Sequence, residues 1–189
     1  MAGRPDDSPY QPVSEGGGPP ETVERFGRLV RHFPVAVSAG AMAGAWARQE
    51  QAPAGSTVVV DREVSALGRI GKPWEVSPAS TLAFATVLRP SVPPEHADVA
   101  WLVGGVGVIG GVEEFIGRSL SAWWPDAVVG PEHTDVVAGI KVESQLGAGE
   151  VKAAVVTIRL DLAALGVDPD GRDDLLEAVV RAIDRSAAG

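Results

Sequence analysis

Apolar residues are spaced along the chain in blocks, and the step between them changes from block to block. From Glu21 onward Val23, Phe26, Leu29 and Val30 stand three and four residues apart, a spacing that predicts a helix stopped by Pro34. Val35 to Ser38 reads as a short strand, and Gly40 to Gln51 as a helix of small residues. Pro53-Ala54-Gly55 is a turn. Ser56 to Arg62 (STVVVDR) and Leu82 to Leu88 (LAFATVL) are runs of strand length, the first rich in β-branched residues. Prolines open the next block, Pro93 to Gly117, which continues through Trp101, Leu102, Val106, Ile109, Val112 and Phe115 as an apolar, glycine-rich helix.

Val128-Val129, Asp135 to Ser144 and Val151 to Leu162 follow as strands, the last two joined by a hairpin turn at Leu146-Gly147-Ala148-Gly149. Arg172 to Ala187 closes the chain as an amphipathic helix with Leu175, Leu176, Val179, Val180 and Ile183 on one face. Strands in the middle with helices at intervals define an α+β domain built on a mixed or antiparallel sheet. Met1 to Pro20 is rich in proline, glycine, serine and acids and offers almost nothing to a core, so it reads as a disordered leader ahead of one domain over residues 21–189.

Composition removes several function classes. Sixteen Lys and Arg stand against 25 Asp and Glu, a net charge of -9, and the cations Arg48, Arg62, Arg69, Lys72 and Arg89 are interleaved with acids rather than gathered in a stripe. A surface of that sign repels phosphate backbones, so nucleic acid is not an expected partner. With no cysteine, thiol nucleophiles, disulfides and zinc-thiolate sites are absent. The N-terminus has no basic region followed by an apolar one, and no run reaches 18 consecutive apolar residues. A cytoplasmic protein without a membrane partner is expected.

The stretch STVVVDREVSALGRIGKPWEVSPASTLAFATVLRP, Ser56 to Pro90, resembles the signature region of biotin-protein ligases and the related lipoate-protein ligases. In that family a TVVV strand leads into QTAGRGRRG, then a Trp, an SP-G-L turn and a strand ending LRP. Trp124-Pro125-Asp126 lies where the family has KWPND, Val137-Ala138-Gly139-Ile140 where it has KLAGIL, and Val155 to Leu162 (VVTIRLDL) in place of the GIGIN strand. The resemblance runs from about Phe33 to Leu162. It implies the ligase catalytic-domain fold, class II aminoacyl-tRNA synthetase-like, with a mixed or antiparallel sheet flanked by helices. The C-terminal cap domain and the N-terminal helix-turn-helix domain found in some members are not expected.

For chemistry the resemblance implies loss. These ligases join a vitamin carboxylate to ATP as an acyl-adenylate and pass the acyl group to a carrier lysine, so donors must meet charge at the reacting phosphates. Gly-Arg-Gly-Arg-Arg-Gly has become Ala66-Leu67-Gly68-Arg69-Ile70-Gly71, the KWPND lysine is Trp123, its Asn and Asp are Asp126 and Ala127, and the KLAG lysine is Val136. The Gln before the glycine loop is Glu63, the ring-recognising Ser-Thr-Asn segment falls near Ala39-Gly40-Ala41, family glycines are Ser80, Thr157 and Arg159, and the Asn of GIGIN is Asp161. Each missing transition-state donor costs roughly 3 to 4 kcal/mol. Arg69 and Lys72 survive and could still meet an anion.

Several readings therefore stand. The first is a non-catalytic ligase-like protein, needing no cofactor, that holds a small apolar or anionic ligand or a protein partner at Leu67, Gly68, Arg69, Gly71, Lys72, Trp74, Trp123, Trp124, Val136 and Gly139. Its pocket is either packed shut by its new apolar side chains or faces something apolar. The second is a working ATP-dependent ligase or acyltransferase with altered chemistry, which would need a cation from elsewhere, Lys141 or Lys152. The third takes Gly105, Gly107 and Gly110 as a GxGxxG dinucleotide site, with Asp126 roughly twenty residues on. A homodimer is compatible with all three. The histidines, His32, His96 and His133, lack ligand spacing, and no metal is expected.

Overall fold

The structure is a computed structural model that describes residues 20–133 and 135–188; the leader, apart from Pro20, lies outside them. Its frame is one eight-stranded sheet: β1 (Thr22–Arg25), β2 (Arg28–Ala36), β3 (Thr57–Glu63), β4 (Thr81–Leu88), β5 (Ser121–Trp123), β6 (Ala127–Val129), β7 (Val136–Leu146) and β8 (Val151–Asp161). The strands lie in the order β1-β2-β3-β4-β8-β7-β6-β5. Pairing is antiparallel except between β2 and β3, which are parallel and joined through α1 (Ala39–Gln49). The other helices are α2 (Val99–Ile116), the single turn α3 (Leu162–Leu165) and α4 (Arg172–Ala188).

Both faces of the central strands are covered, which is why β4 and β8 read as nearly unbroken apolar runs rather than alternating ones. Ala154, Val156, Ile158 and Leu160 of β8 join the larger core beneath α2 and α4, with Phe84, Val108, Val179 and Ile183. Ala153 and Val155 point to the opposite face and pack with Ala39, Ala43, Trp46 and Ala47 of α1. By the same alternation Thr157 and Arg159 fall on the α1 face.

The glycines of α2 have a packing role. Gly104, Gly107 and Gly111 lie on one face of the helix, and a Cβ on Gly107 would stand 2.5 Å from Ile183 Cγ1 and 2.7 Å from Ile183 Cα, while one on Gly111 would stand 2.5 Å from Val179 Cα. Backbone therefore meets backbone where α2 crosses α4. This overturns the dinucleotide reading, because Gly105 to Gly110 lie inside a continuous helix and no strand-to-helix turn exists there to receive a phosphate. By length and composition the helical stretch Pro94–Ile116 could span a membrane; here its glycine face is packed against α4 and β8.

The helix expected from Glu21 to Pro34 is instead the hairpin β1-β2. Phe26 and Gly27 have φ of 55° and 72°, the two positive values that a tight two-residue hairpin turn requires. The three- and four-residue spacing of Val23, Phe26, Leu29 and Val30 fits a helical face by coincidence. What decides the outcome is tertiary pairing of β2 with β3, which buries Val30 to 1% exposure. The short edge strand β5 gave no sequence signal.

Candidate functional site

The site is assembled on the α1 face, beyond the N-terminus of that helix. Between Val64 and Pro73 the chain leaves β3 and closes on itself: Leu67 bridges Pro73, and the Gly68 N–H donates to the Lys72 carbonyl at 2.7 Å. Arg69, Ile70 and Gly71 form the tip, with Ile70 and Gly71 at φ of 51° and 77°. The chain then delivers Trp74 against β7 at Gly139, where a Cβ would lie 3.0 Å from the Trp74 ring. Trp74 Nε1 donates to Thr81 Oγ1 at 3.1 Å, and Thr81 Oγ1 donates to the Ser77 carbonyl at 2.9 Å. One indole is thus a fixed wall.

Opposite it stand Trp123 and Trp124, contributed by β5 and the turn after it, 62% and 54% exposed. Between these walls lies a cleft of about 170 Å³ lined by Gly68, Arg69, Lys72, Pro73, Trp74, Trp123, Trp124, Asp126, Ala127, Val136, Gly139, Ile140 and Arg159. Eight of the ten positions expected from the sequence meet there. Leu67 and Gly71 do not line it; Leu67 supplies a carbonyl to Arg159 instead, at 3.3 Å. The apolar replacements do not seal the pocket, since Leu67 is 42%, Ile70 92% and Val136 36% exposed. Trp123 and Trp124, like Trp74, are therefore cleft residues, whereas Trp46 is a core residue.

At the cleft floor is a feature that the sequence did not announce. Arg159 on β8 and Glu63 at the end of β3 form an ion pair with both side chains 3% exposed. Arg159 Nη2 donates to Glu63 Oε1 at 3.1 Å, and Nε donates to Oε2. Glu63 Oε1 also accepts from the Ala39 N–H at 2.7 Å, the first residue of α1, where a helix N-terminus favours a carboxylate. One buried pair therefore ties together β3, β8, α1 and the Leu67 loop. The signal available beforehand was that two family positions had changed together, Gln to Glu63 and Gly to Arg159, with opposite charge.

Neither lysine considered as a substitute cation reaches the cleft. Lys141 pairs with Glu143 at 3.1 Å, and neither Lys141 nor Lys152 is among the lining residues. The cations present are Arg69, Lys72 and the neutralised Arg159, with Asp126 as the one acid of the lining. Arg69 and Lys72 take part in none of the ion pairs among the described residues.

A mixed eight-stranded sheet with flanking helices arranged in this way is the fold of a biotin protein ligase catalytic domain. The biotin protein ligase of Leishmania major in complex with biotinyl-5-AMP superposes with a TM-score of 0.67 at 15% identity, covering 84% of this chain and 74% of that one. The Aquifex aeolicus enzyme in complex with biotin and ATP gives 0.64 at 21% identity, covering 84% and 70%. In sequence, the bifunctional ligase/repressor BirA of Bacillus subtilis is 26% identical over 133 residues, 69% of this chain. That stretch spans 40% of the length of the Bacillus protein. No family model matches the chain. The chain therefore has the fold of a biotin protein ligase catalytic domain and is similar in sequence to such a ligase over 69% of its length.

Proposed function

We propose that this chain is a non-catalytic, cytoplasmic member of the ligase fold that uses the cleft to bind a ligand rather than to adenylate one. The observation that carries the reading is the Glu63–Arg159 pair. It fills, with the protein's own side chains, positions where the family resemblance puts the Gln before the glycine-rich loop and a glycine that lets the backbone approach the ligand. A vitamin entering there would have to separate two charges buried among apolar groups, and an unpaired buried charge costs several kcal/mol.

The rest of the cleft supports the same reading. Trp123 and Val136 stand where the resemblance places two lysines, and no lysine from elsewhere replaces them. With one arginine of the three left in the Leu67–Gly71 loop, the donors needed to stabilise charge transfer to a phosphate are too few. The test is pyrophosphate release on mixing the protein with ATP and either biotin or lipoate. Release at the level of a protein-free control is expected; release above it that disappears in Arg69→Ala would establish a working ligase.

A further inference from the structure

Resting on the reading of the cleft as a binding site, the geometry points to its ligand class: a small planar aromatic carboxylate, held between Trp74 and the Trp123–Trp124 pair with its charge at Arg69 and Lys72. The walls specify the ring. Trp74 is locked by its contact with Gly139 and its hydrogen bond to Thr81, so it presents a fixed π face. Trp123 and Trp124 are more than half exposed on the cleft lining, with the Trp124 ring resting near Gly105 of α2, 3.9 Å from where a Cβ there would stand. Aromatic groups stacked in this way attract one another beyond what the buried area alone provides.

The charges specify the other end. Arg159 is committed to Glu63, which leaves its charge neutralised at the floor. Arg69 and Lys72 lie at the mouth without ion-pair partners among the described residues, against the single carboxylate of Asp126. The excess is positive in a chain whose net charge is -9, so an anion enters with its charge outward and its ring inward. Size sets the limit: about 170 Å³ is below the ~300 Å³ at which pockets for drug-sized ligands begin. One or two fused rings fit, and an aromatic group carrying a nucleotide's sugar and phosphates does not.

The probe is 2-naphthoate, with 2-naphthylmethanol as ring without charge and cyclohexanecarboxylate as charge without aromatic ring. The five tryptophans give five indole N–H signals in a proton–nitrogen correlation spectrum, assigned by single Trp→Phe variants. Saturable shifts of the Trp74, Trp123 and Trp124 signals with naphthoate are expected, with Trp46 and Trp101 unmoved and each control at least tenfold weaker. The Arg69→Ala/Lys72→Ala variant, both residues exposed on a loop, should bind naphthoate at least tenfold more weakly and the alcohol unchanged. No saturable shift at millimolar naphthoate, equal binding of the alcohol, or unaltered affinity in the double variant would overturn the assignment. Those results leave the non-catalytic reading standing, whereas pyrophosphate release would remove that reading whatever naphthoate does.

Discussion

Glu63 and Arg159 come from strands separated by β4, and their side chains meet across it at the floor of the cleft, each 3% exposed. Removing one partner strands the other charge in a buried site, so Glu63→Ala or Arg159→Ala should lower unfolding free energy by about 3–5 kcal/mol. The double replacement Glu63→Leu/Arg159→Met should recover most of that loss, since well-packed apolar pairs commonly match buried ion pairs. Urea denaturation of the three variants checks this. Equal losses in single and double variants would mean that the pair's hydrogen bonds to Ala39 and Leu67, rather than its charges, hold the cleft together.

Two glycines of α2 should respond to alanine with opposite sign. At Gly107 the new Cβ would meet the backbone of Ile183 at 2.7 Å, and overpacking of this kind costs about 1–3 kcal/mol. At Gly110 nothing lies within 4 Å, and alanine should stabilise the helix by roughly 0.8–1.0 kcal/mol. Thermal unfolding of both variants gives the two signs directly.

Ile70 is a β-branched residue with φ of 51°, 92% exposed at the tip of the cleft loop. Its side chain buries almost nothing, so relief of backbone strain is not offset by lost packing. Ile70→Asn should stabilise by about 1 kcal/mol, or roughly 2–4 °C in Tm for a chain of this length. A lower Tm would show that the Ile70 side chain makes a contact in solution that outweighs the strain.

The strands β3, β4, β7 and β8 and the helices α1, α2 and α4 were legible in the sequence because their apolar runs are long and bounded by Pro and Gly. The hairpin β1-β2 was not: four apolar residues at helical spacing carry no information about a partner strand more than twenty residues away, and that partner decided the outcome. In the cleft, Trp74, Trp123, Val136 and Gly139 were found through family motifs. The Glu63–Arg159 pair required the fold, since only strand order brings residues 96 positions apart into contact. The glycine motif of α2 misled because close helix packing and phosphate binding place glycines at similar intervals.

The most direct test is calorimetric titration of the protein with biotin, because binding depends on the cleft alone whereas turnover also depends on an acceptor. The expected result is no saturable heat, which corresponds to a Kd weaker than about 1 mM, since the Glu63–Arg159 pair occupies the floor that a vitamin would need. Saturable binding of biotin with a micromolar Kd would contradict the claim that the ion pair closes the vitamin's place in the cleft.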